Sequence, residues 1–394
     1  MRCDYFDAGT CRSCTLMGQP YALQLAQKQR DVAGTLDTHV AADPWLEPVP
    51  SPESGFRNKA KLVVGGTKVA PTVGILDADG HGTDLRHCGL YEAGLDRAVA
   101  ALPDLLAGAG LTPYDVPSRQ GELKHVLLTH SPDDAILARV VLRSPGQRRR
   151  VGDLVEAWRR RPDLPRLQVA SINLQPAHAA VLEGRREEVL TPDTTLPMRL
   201  GEVTLHLGTR SFFQTNTTVA SALYRQVAAW VDELDPGSVW DLYCGVGGFA
   251  VHLAAPGRQV TGVEVSAEAV RSAGRSAEGL GPAAEGLRFV TDDATAYALG
   301  SARQERPDLV IVNPPRRGLG ARLPEWLETS GIPHVVYSSC AAATLSQDLE
   351  RMPSYRVTRA RLFDMFPQTR HHEVAVVLSR HAGGSLGPEA AALP

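Results

Sequence analysis

From Val239 onward, short apolar runs alternate with helical patterns, and this rhythm constrains the fold more than any other feature of the chain. Val239–Tyr243, Gln259–Val263, Leu287–Val290, Leu309–Val312 and His334–Ser338 read as strands, with helical patterns at Phe249–Ala254 and Ala267–Ala277. Strands that recur at roughly 30-residue intervals across helices pair in parallel as βαβ units. Tyr355–Asp364 and Val374–Leu378 add two more strands, expected as a terminal hairpin. The reading is a Rossmann-like α/β domain over residues 209–380. Domains of this kind bind ligands beyond the C-terminal ends of their strands.

Residues 1–208 lack that rhythm. A helical pattern runs from Tyr21 to Leu36, with Leu23, Leu25 and Ala26 as its apolar face, and residues 40–55 form a Pro-, Asp- and Ser-rich loop. Lys61–Val64, Val73–Leu76, Lys124–Thr129, Ala135–Leu142, Val169–Leu174 and Val203–Leu207 read as strands, with helices near Asp96–Ala107 and Val151–Arg160. We expect an α+β domain on an antiparallel sheet. Residues 381–394, rich in Gly, Ala and Pro, are expected to be a disordered tail. No internal repeat is present.

Composition narrows the class. With 43% hydrophobic and 22% charged residues, 394 residues are enough for two or three packed domains. A net charge of −3 argues against holding nucleic acid by bulk charge, while leaving room for a local basic surface. Met1–Arg2–Cys3–Asp4 does not begin a signal or transit peptide, and no apolar run approaches the roughly 20 residues of a membrane span. The expectation is a cytoplasmic monomer with no membrane contact. In a reducing compartment, six cysteines at positions 3, 11, 14, 88, 244 and 340 are better read as ligands or catalysts than as disulfides.

Two motifs specify chemistry in the second half. Asp241–Leu242–Tyr243–Cys244–Gly245–Val246–Gly247–Gly248–Phe249 is a strand, a glycine-rich turn and a helix start, and Glu264 ends the next strand, where a carboxylate can hold ribose hydroxyls. These fit a dinucleotide or S-adenosylmethionine, with Asp292 and Asp293 as candidates for the adenine. Asn313–Pro314–Pro315–Arg316 then favours methyl transfer over hydride transfer, since a rigid turn presenting an amide suits a planar substrate. Cys340 follows the fifth strand at the same edge. A thiolate there has a purpose: carbon 5 of uracil is too weak a nucleophile to attack a sulfonium methyl until a thiolate adds at carbon 6. A base must then remove the carbon-5 proton, and Glu373 is the candidate. Cys244 reads as a small packing residue.

Ser211–Phe212–Phe213–Gln214–Thr215–Asn216, Asp241–Phe249, Asn313–Gly318, Ser338–Cys340 and His371–Glu373 together resemble the RNA uracil-C5 methyltransferase family. The resemblance implies a class I methyltransferase fold, with Gln214, Tyr243, Glu264 and Asn313 contacting S-adenosylmethionine. It also implies Cys340 as nucleophile and Glu373 as general base.

The N-terminal cysteines have one close pair, Cys11 and Cys14, flanked by the single Cys3 and Cys88. Spacing alone leaves Cys₄ zinc and an iron–sulfur cluster open, and leans toward the cluster. Cys3–Cys14, Gly55–Lys61 and Gly121–Lys124 resemble the family's 23S ribosomal RNA branch, which implies a [4Fe-4S] cluster on Cys3, Cys11, Cys14 and Cys88. It also implies that the segment 17–50 can pack on the catalytic domain. A buried carbon 5 is reachable only in an unstacked uridine, so a loop nucleotide flipped into the cleft is expected. Arg57, Lys59 and Lys61, at spacing two, are candidate RNA contacts, while Arg148–Arg150, Arg159–Arg161 and Arg316–Arg317 read as solvated surface. The alternatives are another ribosomal uridine, tRNA, amino-group methylation at Asn-Pro-Pro, or an iron–sulfur RNA-binding protein without activity.

Overall fold

Two seven-stranded sheets organise the chain, and the alternation in the second half builds one of them. The computed structural model describes residues 1–41 and 43–381. The first sheet contains β1 (Lys59–Gly66), β2 (Pro71–Leu76), β3 (Gly82–Asp84), β4 (Leu123–Ser131), β5 (Ala135–Leu142), β6 (Arg166–Leu174) and β7 (Arg186–Val189), in the order β3-β2-β1-β4-β5-β6-β7. Helices Ala93–Gly108 and Arg148–Arg159 cover one face, burying Leu95, Leu102, Leu106, Val151 and Trp158 against Leu62, Val64, Val126 and Val140.

This sheet is mixed, which corrects the antiparallel expectation. β5 and β6 pair in parallel, with Ala135 opposite Arg166 and Leu142 opposite Leu174. The cause is local: helix Arg148–Arg159 lies between the two strands, and a crossover helix returns the chain in the direction it left.

The hairpin β8 (Leu196–Leu200) and β9 (Val203–Leu207) packs into a core shared by both sheets, with Ala135, Leu137 and Val169 of the first sheet among its members. Leu196, Met198, Leu200, Leu205 and Leu207 share a cluster with Val219, Leu223, Val227 and Trp230 of helix Thr217–Leu234. The second sheet comprises β10 (Ser238–Leu242), β11 (Gln259–Glu264), β12 (Leu287–Thr291), β13 (Leu309–Val312), β14 (His334–Ser339), β15 (Tyr355–Phe363) and β16 (Glu373–Arg380). Its order is β12-β11-β10-β13-β14-β16-β15; the first five strands of that order are parallel, and β16 is antiparallel to both its neighbours. Strand order reverses between β10 and β13, which places a crevice at their C-terminal ends.

The helix Tyr21–Thr35 and the segment after it lie against this second sheet. Residues 44–49 run along the outer edge of β15, where Leu46 N donates to Ala360 O at 2.8 Å and Val49 N to Leu362 O at 2.8 Å. The sheet edge is thereby covered. Helix Tyr21–Thr35 buries Gln24, Lys28 and Val32, whereas Leu23 is 59% exposed. Of the expected apolar face, Leu25 packs partly buried against the core and Leu23 faces solvent. The helix also docks on a loop that offers backbone carbonyls and one carboxylate, so Gln24 and Lys28 turn inward. His381 N bonds Ser354 O; the rest of the expected tail, 382–394, lies outside the described residues. Among the described residues, no helix is long and apolar enough to cross a membrane.

Asn58 ties the two sheets together. Fully buried beside β1, it donates Nδ2 to Gln214 O at 3.0 Å and Thr217 Oγ1 at 2.8 Å, while its backbone N donates to Thr215 O at 2.9 Å. Asn58→Ala would leave those side-chain acceptors buried without that donor and is expected to cost about 2 kcal/mol. Urea titration should show a lower midpoint with an unchanged slope.

Candidate active site

Each sheet-edge motif lands beside the crevice. Tyr243 follows β10 with φ of +66°, a left-handed conformation that turns the chain sharply into the glycine loop, and Gly247 at +83° starts the short helix Gly248–His252. Asp241 pins the turn from inside: its Oδ2 accepts from Ala250 N at 2.9 Å, and its Oδ1 has no partner. Burial pushes the Asp241 carboxyl up to about 7. Glu264 ends β11 and accepts from Gly245 N at 3.2 Å through Oε2 and from Ser266 N at 2.9 Å through Oε1. The next residue, Val265, is 72% exposed, an apolar side chain left uncovered beside the carboxylate.

Gln214 is buried next to the Asn58 bridge, and Asn216 caps helix Thr217–Leu234 by accepting from Val219 N at 3.2 Å. Asp292 and Asp293 lie exposed past β12, where Asp293 caps helix Ala294–Gly300 by accepting from Ala296 N at 2.9 Å.

The two residues read as nucleophile and base meet at one edge, because β16 runs antiparallel to β14 and pairs Ser339 with Val374. Glu373 is 2% exposed. Its Oε1 accepts from Asn313 Nδ2 at 3.0 Å and Ser338 Oγ at 2.6 Å, and Asn313 Nδ2 also donates to Ser338 O at 3.1 Å. Burial raises the Glu373 carboxyl to about 7 against those two donors, which favour the charged form. Cys340 is half-buried, and burial pushes its thiol up; the Glu373 charge acts the same way. Arg316 opposes both, its nearby guanidinium lowering the thiol. Arg316 also meets His371 Nδ1 at 3.2 Å, and Tyr337 OH and Leu319 N both bind Asp348 Oδ2 at 2.8 Å.

The sequence reading missed Ser338, Arg316, Asp348 and Asn58 as parts of this arrangement. Ser338 and Asn58 lie inside Ser338–Cys340 and Gly55–Lys61 with no signal of their own, Arg316 reads only as solvated surface, and Asp348 is visible only once helix Ala342–Leu349 folds back beside β14.

Cys3, Cys11, Cys14 and Cys88 line one cavity of about 190 Å3, bordered by Arg57, Lys59 and Lys61. Among the described residues, no group of three or more His, Cys, Asp or Glu is close enough to hold a metal ion. The sulfurs still feel one another: burial, then the other three thiols, raises the Cys14 thiol to about 11, while Arg57 lowers it. Lys59 is lowered to about 8 by burial and then by Lys61. The arginine runs behave as expected of surface, with Arg148 paired to Glu188, Arg159 to Glu156 and Arg161 to Asp163.

The sign of the Glu373 perturbation gives a test. Its folded-state value lies above the ordinary 4.5, so the cost of ionising it in place appears as pH rises from about 4.5 to about 7. Glu373→Gln is therefore expected to raise the urea midpoint at pH 8 and to leave it near wild type at pH 5.

The chain is similar to known proteins along most of its length. The profile of the tRNA (Uracil-5-)-methyltransferase family matches residues 299–381, and that of the methyltransferase small domain matches residues 219–323. The 23S rRNA (uracil(747)-C(5))-methyltransferase RlmC of Enterobacter sp. (strain 638) is 44% identical over 379 residues, covering 96% of this chain and 99% of that protein. The RlmC of Escherichia coli O127:H6 matches with the same identity and coverage. The crystal structure of Pyrococcus abyssi tRNA (uracil-54, C5)-methyltransferase with S-adenosyl-L-homocysteine superposes with a TM-score of 0.75 at 23% identity, covering 93% of this chain and 85% of that one, which establishes a shared fold. With relatives of this identity over nearly its full length, the chain belongs to the RNA uracil-C5 methyltransferase family.

Proposed function

We propose that the protein methylates carbon 5 of a uridine in 23S ribosomal RNA, the activity carried in the names of relatives 44% identical to it. The observation that carries the chemistry is the Cys340 thiol beside a buried Glu373 carboxylate that Asn313 and Ser338 orient. Cys340 adds to carbon 6, which makes carbon 5 nucleophilic. S-adenosylmethionine, when bound, supplies the methyl group. Glu373 then takes the carbon-5 proton, and the electron pair released re-forms the ring double bond as the Cys340 sulfur leaves. Arg316 favours the thiolate that both steps require. A base whose carboxyl sits near 7 is partly ionised at neutral pH and can accept that proton.

For the cofactor, Glu264 would hold the ribose hydroxyls, exposed Val265 beside it would offer a surface for adenine, and Gln214 and Tyr243 would contact the rest of the molecule. Asn313 Nδ2 is engaged with Ser338 and Glu373, which leaves its carbonyl oxygen for the cofactor. Arg57, Lys59 and Lys61 form a basic row beside the cysteine cavity, suited to RNA phosphates.

For the cysteines, Cys3, Cys11, Cys14 and Cys88 line one cavity. Their spacing, one close pair and two single ligands, leans toward an iron–sulfur cluster over Cys₄ zinc, and these four would hold a [4Fe-4S] cluster. With all four thiolates occupied, the cluster would serve structure.

Incubation with unmodified 23S ribosomal RNA and labelled S-adenosylmethionine, followed by mass spectrometry, should yield 5-methyluridine, with relatives' position 747 as the first candidate. Cys340→Ala should abolish the product while retaining cofactor binding. No 5-methyluridine in any ribosomal RNA would overturn the reading, and a product in tRNA would redirect it.

Anaerobic purification should give a brown protein with about four irons per chain. A colourless protein with stoichiometric zinc would overturn the cluster assignment.

A further inference from the structure

Helix Tyr21–Thr35 turns Gln24 and Lys28, one turn apart on the same face, into the loop that joins β15 to β16. Lys28 Nζ lies 2.6 Å from Asp364 Oδ1 and 3.0 Å from Phe366 O, with the two side chains 3% and 0% exposed. Gln24 closes on Gln368 from both sides: its Nε2 donates to Gln368 Oε1 at 3.0 Å, and Gln368 N donates to its Oε1 at 3.1 Å. Leu16 N donates to Gln368 O at 2.9 Å. Gln368 itself has φ of +66°, a conformation that non-glycine residues keep only where surrounding bonds hold them.

The two ends of this loop are the residues that matter. Phe363 and Glu373 are paired in the β15–β16 ladder, so Asp364 is the first residue beyond the base's own partner. His371, near the other end, meets Arg316, whose charge lowers the Cys340 thiol. A buried ion pair is a poor stabiliser compared with apolar side chains of similar volume. What it supplies is direction, by fixing where the loop begins.

We infer that Lys28 and Gln24 are positioning residues for proton abstraction: they clasp the loop Asp364–His372 so that Glu373 and Arg316 are held in register around the nucleophile. The inference rests on the proposed roles of Cys340 and Glu373.

The double variant Lys28→Met/Asp364→Leu removes both charges while keeping side-chain volume, and Gln24→Met removes the amide clasp without touching charge. Each is assayed with 23S ribosomal RNA for kcat, KM, denaturant-resistant enzyme–RNA adduct and urea midpoint, beside Glu373→Gln. The expected result is a near-wild-type midpoint, KM within about twofold, kcat lowered by about tenfold or more, and accumulation of methylated adduct as in Glu373→Gln. Wild-type kcat in the folded double variant, or lost activity without adduct where Glu373→Gln accumulates it, would overturn the clasp. If the double variant does not fold, Gln24→Met decides by the same criteria. If Glu373→Gln accumulates no adduct, the base assignment fails instead, and the clasp is then read from kcat at unchanged KM and midpoint.

Discussion

A carboxylate buried at the edge of a parallel sheet is the constraint on which the catalytic half depends. Removing Glu373 from water is unfavourable, and the surrounding fold is arranged to make it tolerable without neutralising it. Asn313 comes from the turn after β13, Ser338 from the end of β14, and Glu373 from the start of β16, so three strands must be in register before the group has partners. The antiparallel insertion of β16 beside β14 brings a strand's first residue to an edge otherwise built from strand ends. Without that reversal, Glu373 would lie at the opposite edge from Cys340. Topology decides which groups this carboxyl can meet.

Much of this was legible in the sequence, and the reasons are local. Ala135–Leu142, Val203–Leu207 and Leu309–Val312 have the bounds read from apolar runs, because each is a short strand flanked by turn residues. The glycine loop and Asn-Pro-Pro turn announced themselves through backbone requirements that few residues meet. Parallel pairing of β5 with β6 was not legible, since which strand a strand meets is set by the path of the intervening helix. The polar docking face of helix Tyr21–Thr35 was not legible either. Periodicity reports apolar stripes, and Gln24 and Lys28 become an interior face only when a loop more than 300 residues away offers a carboxylate and an amide.

The N-terminal segment therefore belongs to both halves. Its cysteines border the cavity beside β1, residues 44–49 edge the catalytic sheet, and its helix meets the β15–β16 loop. Leu16 stands between: its amide bonds Gln368, two residues after Cys14. A basic row, a set of thiols and the loop before Glu373 are thus mechanically continuous, although they arise from distant stretches of sequence.

That continuity sets an order of events during synthesis. Lys28 and Gln24 leave the ribosome 336 and 344 residues before the partners that neutralise and bond them. At about 5–20 residues per second, the interval is on the order of tens of seconds. The first sheet can close in that time, but the opening helix cannot. Cys3, Cys11 and Cys14 lie upstream of that unanchored helix, so the segment that carries them is also made long before the chain's two ends are joined. The last hairpin to be made is what fastens the helix Tyr21–Thr35.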